Sequence, residues 1–453
     1  MVQDLYILMI TAGVVALLFK LLKQPVVLGY IVAGILVGPH LFGENLVNPE
    51  NVETWGNIGV LFVLFCIGLE FRLKNLLESG KVALVGAATI IGGMLLLGFG
   101  VGKSAELNTM NSLFLAAMLC MSSTTIVMKA VDEAGLGKAR FVKGATSILI
   151  FEDIVAVVLM VLLSSVAVKN SFEGTVLLEK VAVLAVTLVV WFVVGILIIP
   201  TLFRWLRKYL NDEILIVLSL GLCLGMVLTA EEAGFSSALG AFVMGMILAE
   251  TKEAHRIEKL MAPLKNVFAA IFFVSVGMMI NPASLVEFWP SILYVAVVII
   301  VGMIVFGTLG CWWGGETLHD AMLTGFSFVQ IGEFSFIIAA LGSKLGVTDP
   351  VIYPIIVAAS VLTTFLTPYI MKAATPCYNF LYNHASPRLK AKIDAREQQV
   401  AKAEQEAATP TKGDNPSSAD KVRHAVRKTV VTKRVVDLFF KNMSENDEKT
   451  EKQ

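Results

Sequence analysis

The segment Gly144-Ala-Thr-Ser-Ile-Leu-Ile-Phe-Glu-Asp-Ile-Val-Ala-Val-Val-Leu-Met-Val-Leu-Leu163 is an apolar run long enough to span a membrane as a helix. Glu152 and Asp153 lie side by side in its middle. A charged side chain at the bilayer centre costs about 2.5–3.5 kcal/mol on insertion scales, and two adjacent carboxylates also repel each other. Acids kept in such a place usually bind a cation or carry a proton. The alternative is a buried acid pair neutralised by structural partners.

The composition separates the chain into two unlike regions. Of its 453 residues 56% are hydrophobic, and the mean hydropathy is +0.77. Only 16% are charged, whereas soluble domains carry about 25% charged residues. Residues 1–374 are a succession of apolar stretches, and residues 375–453 are rich in charge. We therefore predict a transmembrane domain followed by a charged cytoplasmic tail, and the net charge of zero averages the two.

The cysteines and histidines do not indicate a cofactor. Five of each are scattered along the chain without the spacing of a disulfide framework or a metal site. We expect no cofactor, no metal other than a transported ion, and no nucleic-acid partner. The N-terminus lacks a basic segment before its apolar run, so we interpret residues 5–22 as a retained helix and not as a cleaved signal peptide.

The repeated apolar stretches predict an all-α polytopic membrane protein with about thirteen transmembrane helices. Gly, Pro and Asn cluster between many of them. The predicted spans are about 5–22, 26–43, 57–71, 81–102, 112–131, 141–166, 181–204, 212–230, 235–250, 263–281, 290–313, 320–343 and 350–373.

The basic residues between the spans predict the orientation. They fall into two alternating sets, one of sixteen residues that includes Lys265 and one of only four, Lys103, Lys169, Lys180 and Lys344. The positive-inside rule assigns the richer set to the cytoplasm. The N-terminus is then outside and the C-terminus inside. The loop 313–320 is an exception, because it is assigned to the cytoplasm but contains no Lys or Arg.

The sequence contains an internal repeat. Residues 28–38 share Leu, Gly, Val and Gly at matching positions with residues 239–249, and residues 63–68 align with 272–277 at nearly the same offset. Seven spans separate the two copies, so their orientations in the membrane are opposite. Inverted repeats of this kind are typical of secondary transporters.

The repeat pairs the fifth span with the twelfth, and polar residues interrupt both. The fifth contains Ser122-Ser123-Thr124-Thr125, and the twelfth contains Gln330 and Glu333 around Gly332. Such residues favour local unwinding, which directs carbonyl oxygens and helix ends toward an ion. The alternative is ordinary hydrogen bonding between helices. With the two acids in the next span, we expect two crossed, broken helices and an oxygen-lined cation site.

Each acid has a predicted role. Glu152 and Asp153 project about 100° apart on a helix, so only one of them can face the ion directly. Burial and mutual repulsion favour protonation, so a proton and a cation would compete for the site. Glu70 ends a span beside Arg72 and Lys74 and is expected to pair with one of them. For Glu333, a structural salt bridge or a helix-capping hydrogen bond is as good an interpretation as direct contact with the ion.

Taken together, these motifs resemble the monovalent cation:proton antiporter-2 family, which comprises the Kef-type potassium/proton and related sodium/proton exchangers. The likeness covers about residues 5–373. It rests on the segments 28–39, Gly68-Leu-Glu-Phe71, Ser122–Thr125, Phe151-Glu-Asp-Ile154, 272–278 and Gly332-Glu-Phe334.

The resemblance implies an architecture and a set of site residues. The protein would be a homodimer with a dimerisation part (about 5–71 and 212–281), a core part (about 81–166 and 290–373) and a linker helix (181–204). The core would slide like an elevator. Asp153 matches the indispensable carboxylate, Glu152 matches the position before it, and Ser123 and Thr124 match oxygen-donating positions in the unwound helix.

Two departures from the family pattern matter. Sodium exchangers with paired Asp residues carry a Lys in the preceding core helix that binds the first acid, but span 290–313 contains no Lys or Arg. Glu152 then lacks its usual cationic partner, and whether the exchange is electrogenic stays open. Residues 375–453 also lack the Gly-x-Gly-x-x-Gly motif of a nucleotide-binding regulatory domain, so gating of that kind is not predicted.

The sequence thus predicts an inner-membrane antiporter that exchanges Na⁺ or K⁺ for H⁺. Asp153, Glu152, Ser123 and Thr124 would bind the cation and the proton. A surrounding layer of polar residues would hold these four in position: Gln330, Glu333, Thr125 and Ser122. The rivals are a sodium-coupled organic anion symporter and a membrane sensor with the same fold and no transport. In the tail, a helix is expected from Ser386-Pro387 to about Ala408. Residues 420–442 suit an amphipathic helix on the inner leaflet or a segment docked on the cytoplasmic face of the transporter, and disorder is a further alternative for the last ten residues.

Overall fold

The computed structural model describes residues 2–22, 24–41, 46–71, 80–169, 174–206 and 208–408. All the regular secondary structure in this part of the chain is helical. In chain order the helices are α1 Val2–Leu21, α2 Val26–Val37, α3 Pro49–Glu70, α4 Gly80–Ser104, α5 Thr109–Leu119, α6 Thr124–Glu133, α7 Phe141–Lys169, α8 Gly174–Leu206, α9 Asp212–Glu232, α10 Ser237–Ala249, α11 Ala254–Met278, α12 Pro282–Glu287, α13 Trp289–Gly314, α14 Leu318–Ser327, α15 Glu333–Lys344, α16 Ile352–Lys372, α17 Ala374–His384 and α18 Pro387–Ala408.

The helices follow the predicted spans. Each of the thirteen intervals overlaps one helix, or in two cases a pair of consecutive helices. Ten segments of the described chain are long and apolar enough to cross a membrane, while α2 and α10 are shorter apolar helices. The predicted span 26–43 extended too far. Helix α2 ends at Val37, because Pro39 disfavours helical backbone at Gly38.

The surface fits a lipid environment. Large apolar side chains are exposed along α1, at Ile10, Val14 and Leu17, and along α8, for example at Val186 and Val190. Contiguous apolar surface of this extent is rare on soluble monomers but is the normal outer face of a membrane helix. The protein is a multi-pass membrane protein.

Two glycine pairs bring α2 against α11 and α3 against α10. A Cβ built on Gly34 would lie 2.8 Å from Gly277 Cα, and one on Gly277 would lie 2.1 Å from the Ile31 carbonyl oxygen. A Cβ on Gly68 would lie 3.0 Å from Gly245 Cα. The backbones therefore touch at both places, as small residues allow between membrane helices.

The pairing is reciprocal between the two copies of the sequence repeat. In the alignment Gly34 corresponds to Gly245, and Gly68 corresponds to Gly277. The first helix of one copy packs on the second helix of the other copy, in both directions. A two-fold relation between the copies produces this exchange of partners.

Arg140, just before α7, connects this helix to the loop between α13 and α14. Its guanidinium pairs with Glu316 and Asp320 and donates to Thr317 Oγ1 at 3.3 Å. Arg140 therefore balances the negative charge of a segment that contains no Lys or Arg of its own.

The predicted tail helix is present as α18. Ser386 Oγ accepts from the Leu389 N–H, as expected of a helix N-cap. The Tyr378 hydroxyl donates to Glu397 Oε1 at 2.8 Å, and Ile393 is buried. Burial and that hydrogen bond raise the pKa of Tyr378 above its ordinary value. The described residues up to Glu397 belong to one compact unit. The segment 420–442 lies outside the described residues.

Candidate cation-binding site

Helix α7 places the two central acids in different surroundings. Glu152 is completely buried, whereas Asp153 is half-buried. The difference follows from the turn of about 100° between neighbouring helix residues, which directs the two side chains to different sides of α7. As predicted from the helix geometry, the two carboxylates do not share one environment.

Glu152 is attached to the backbone of the first helix break. Helix α5 ends at Leu119 and α6 begins at Thr124, so the intervening N–H groups lack helical partners. The Ser122 N–H donates to Glu152 Oε2 at 2.9 Å. The other oxygen, Oε1, is buried and has no hydrogen-bond partner among the described residues.

A second break, between Ser327 and Glu333, crosses the first. The Gly332 N–H donates to the Met121 carbonyl oxygen at 2.7 Å. A Cβ on Gly332 would lie 2.9 Å from the Ser123 nitrogen, so this close crossing requires glycine. The sequence placed both interruptions correctly, and the structure brings them into direct contact.

Two side chains from the second break fasten it to Ser123. Gln330 is fully buried; its Nε2 donates to the Ser123 carbonyl at 3.2 Å and its Oε1 accepts from the Ser123 N–H at 3.3 Å. The Ser123 hydroxyl donates to Glu333 Oε2 at 3.1 Å. Glu333 is also the first residue of α15, where the helix dipole favours a carboxylate.

The remaining predicted residues differ in placement. The Ser122 hydroxyl donates to the Phe328 carbonyl at 3.4 Å, which joins the two breaks. Thr124 is half-buried at the start of α6, but Thr125 is exposed. Ser122, Ser123, Gln330 and Glu333 therefore form one hydrogen-bonded crossing, and Thr125 lies outside it.

Asp153 lies beside this crossing without being tied to it. Its carboxylate makes no hydrogen bond or salt bridge to the part of the chain that the structure describes. A half-buried carboxylate with both oxygens uncommitted is available to a cation or a proton.

The sequence matches a transporter family over most of its length. The family model described as "Sodium/hydrogen exchanger, transmembrane" matches residues 7–374. The chain belongs to the sodium/hydrogen exchanger family. This is a family of transporters, so the chain is not an enzyme, and the resemblance found from the motifs is confirmed.

Several curated proteins are similar in sequence to this member of the sodium/hydrogen exchanger family. The putative cation/proton antiporter YbaL of Escherichia coli is 29% identical over 80% of this chain, and the K⁺ efflux antiporter 5 of Arabidopsis thaliana is 28% identical over 84%. The chain spans about two thirds of the length of these two relatives, 66% and 67%. The Na⁺/H⁺-K⁺ antiporter GerN of Bacillus cereus is 28% identical over 78% of this chain and 90% of its own length.

A solved structure of another antiporter shares the fold. The sodium proton antiporter MjNhaP1 of Methanocaldococcus jannaschii superposes with a TM-score of 0.60 at 17% identity, over 82% of this chain and 97% of that one. At that identity the likeness concerns the fold alone.

The structure places one charged residue of this exchanger-family chain, Lys265, differently from the sequence analysis. Lys265 was counted among the loop charges, although it lies inside the predicted span 263–281. The structure places it in α11, with its Nζ 2.7 Å from Glu70 Oε1. Arg72 and Lys74, the partners expected for Glu70, lie outside the described residues. The sequence did contain a signal for a Lys inside a helix, because Lys265 lies two residues after the start of the predicted span 263–281.

Substitution of Gln330 by Ala should weaken the crossing. It would leave the N–H of buried Ser123 without its partner, at about 1–3 kcal/mol for an unsatisfied buried group, while the Ser123 carbonyl would keep the Val127 N–H at 3.0 Å. We expect a lower thermal midpoint in detergent and a reduced transport rate. Ser343→Ala in α15, at the far end from the crossing, is the control. A Gln330→Ala protein with the stability and transport rate of the wild type would contradict the role assigned to Gln330.

Proposed function

We propose that this chain is a secondary active antiporter that exchanges a monovalent cation, Na⁺ or K⁺, for H⁺, with Asp153 as the carboxylate that binds cation and proton in turn. The observation that carries the proposal is the half-buried, uncommitted Asp153 carboxylate beside two crossed helix breaks. The names of the relatives, which include K⁺ efflux antiporters and one Na⁺/H⁺-K⁺ antiporter, support the same chemistry.

The chemistry follows from the position of Asp153. A carboxylate held out of bulk water is costly while it is charged and unpaired. Either a proton or a monovalent cation relieves that cost, and the two compete for the same oxygens. Hard cations prefer oxygen ligands, and we expect the Thr124 hydroxyl and the polar side chains of the crossing to supply them. Arrival of a cation then requires departure of a proton, which is exchange.

Glu152 has a different role in this proposal. One of its oxygens accepts from the Ser122 N–H, so Glu152 holds the first break in place beside Asp153. It assists Asp153 without being the group on which cation and proton alternate. Its substitution should therefore be less damaging than that of Asp153.

The movement proposed is an elevator. The dimerisation part would comprise 5–71 and 212–281, the core part 81–166 and 290–373, and helix 181–204 would link them. The protein in this proposal is a homodimer in the inner membrane, and each chain has thirteen spans with inverted repeats. Its N-terminus lies outside and its C-terminus lies in the cytoplasm. The reciprocal glycine pairs support the repeat. Aromatic contact between Phe273 and Phe336, with ring centroids 6.0 Å apart, lies where the two parts meet.

Purified protein in liposomes that contain a pH-sensitive dye tests the proposal. We expect addition of Na⁺ or K⁺ to dissipate a preset pH gradient, with a rate that saturates with cation concentration. Protein-free liposomes and an added chloride salt of a large organic cation are the controls. The same assay with both cations would also determine selectivity.

The other outcomes identify the rivals. Uptake of an organic anion that requires Na⁺ and moves no protons would indicate the symporter. Silence with every monovalent cation, by protein that is folded and correctly inserted, would favour the sensor and end the antiporter proposal.

A further inference from the structure

A small cavity is lined jointly by the crossing and by two helices of the proposed dimerisation part, α2 and α11. These two helices supply an apolar wall that includes Ile31 and Phe273. The volume of about 10 Å³ has room for one particle of the size of a water molecule. A dehydrated Na⁺ or K⁺ ion is no larger, so the cavity can hold either one water molecule or one such ion.

The core contributes four oxygen-bearing side chains to this cavity. Ser123 comes from the first helix break and Glu333 from the second, while Ser360 and Thr364 lie one turn apart on α16. Glu333 is the charged member of this set, and no Lys, Arg or His is among the described residues that line the cavity. A carboxylate enclosed without a basic partner favours a positively charged guest over a neutral one.

Thr364 differs from the other threonines of α16. The hydroxyl of Thr363 donates to the Ser360 carbonyl at 3.1 Å, and that of Thr367 donates to the Thr363 carbonyl at 2.8 Å. The Thr364 side chain is only 1% exposed, and its Oγ1 has no hydrogen-bond partner among the described residues. A buried hydroxyl is costly without a partner, so a guest in the cavity that Thr364 lines would satisfy it.

The other two hydroxyls present oxygen lone pairs to the cavity. The Ser360 hydroxyl donates to the Ile331 carbonyl at 3.0 Å, and the Ser123 hydroxyl donates to Glu333 Oε2 at 3.1 Å. A hydroxyl that has given its proton to a neighbour keeps its lone pairs for a cation. The cavity thus offers hydroxyl and carboxylate oxygens, which are the ligands that hard cations prefer.

We propose that this cavity is a second binding site for the transported monovalent cation, with oxygen ligands from Ser123, Glu333, Ser360 and Thr364. We call it the Thr364 site. The inference rests on the proposed function for the identity of the ion and adds a place where the ion is held apart from Asp153, since none of the described residues that line the cavity lies on α7. Its ligands come from the core and its apolar wall from α2 and α11.

Asp153→Asn isolates the Thr364 site, because it removes the proposed exchanging carboxylate and leaves the four ligands in place. We expect NaCl or KCl to raise the thermal midpoint of Asp153→Asn in detergent, relative to choline chloride at the same concentration. Addition of Thr364→Val, which keeps the shape but removes the hydroxyl, should increase about tenfold the cation concentration that gives half of this rise.

Three further variants on the Asp153→Asn background are the controls. Thr364→Ser retains the oxygen and should retain the cation dependence. Thr363→Val removes a buried hydroxyl one residue away that bonds to its own helix, so it should leave the cation dependence unchanged. Glu333→Gln can still accept from the Ser123 hydroxyl but has lost the charge, so the cation should no longer raise its midpoint.

A cavity that holds only structural water gives a different pattern. Thr364→Val would then lower the thermal midpoint equally in choline, Na⁺ and K⁺, and this result overturns the inference. Absence of any rise specific to Na⁺ or K⁺ in Asp153→Asn also overturns it, while cation-driven proton movement by the wild type in liposomes keeps the proposed function. Conversely, a rise that depends on Thr364, found together with a silent wild type, supports the Thr364 site and ends the antiporter proposal.

Discussion

Asp153→Asn should abolish exchange, reducing cation-driven proton movement to the level of protein-free liposomes. Asn has nearly the shape of Asp but carries no negative charge and cannot release a proton. The structure offers no substitute at this position, because Glu152 is committed to the Ser122 N–H and Glu333 accepts from the Ser123 hydroxyl. The measurement is the initial rate in the pH-dye assay, over a range of Na⁺ and K⁺ concentrations.

Glu152→Gln is the matched control, since it changes the neighbouring acid by the same chemical step. A Gln oxygen can still accept from the Ser122 N–H, so the break should remain intact and part of the exchange should survive. Its thermal midpoint should stay near that of the wild type. Wild-type exchange by Asp153→Asn would refute the assignment, whatever the behaviour of Glu152→Gln.

Gly277→Ala should cause a large loss of stability. The added Cβ would lie 2.1 Å from the Ile31 carbonyl oxygen, which is far inside van der Waals contact. Backbone atoms form both sides of this contact, so no side chain can rotate away and α2 and α11 must separate. Overpacking usually costs about 1–3 kcal/mol, and we expect a value at or above the upper end of that range. The thermal midpoint in detergent should fall by several degrees.

Gly92→Ala in α4 is the control, because a Cβ there would meet nothing within 4 Å. In an open helical position Ala is the better helix former by about 1 kcal/mol, so this variant should be at least as stable as the wild type. The two-fold relation adds a further expectation. Gly68→Ala, at the corresponding contact with α10, should destabilise the protein comparably. If Gly277→Ala had the same thermal midpoint as the wild type, α2 and α11 would not be in contact.

The helical architecture and much of the crossing could be predicted from the sequence. Apolar runs of membrane length determine helices because backbone polar groups in lipid must be satisfied within the segment. Polar residues at 122–125 and 330–333 marked where the helices break, and the structure joins the two breaks through Ser122, Ser123, Gln330 and Glu333. The repeat was visible in the sequence, and its glycines contact glycines of the other copy in exchanged pairs, Gly34 with Gly277 and Gly68 with Gly245.

Residue chemistry and spacing along the chain therefore determined the helices, the breaks and the candidate carboxylates. Only the tertiary structure decided that Glu152 is hydrogen-bonded to the backbone while Asp153 is free to bind a cation or a proton. The two acids are neighbours on one helix, and their surroundings differ because different parts of the protein pack against the two sides of that helix. It also brought Lys265 and Glu70, 195 positions apart, into one ion pair. Charges at such separations interact only after helices pack, and no local pattern specifies which helix faces which.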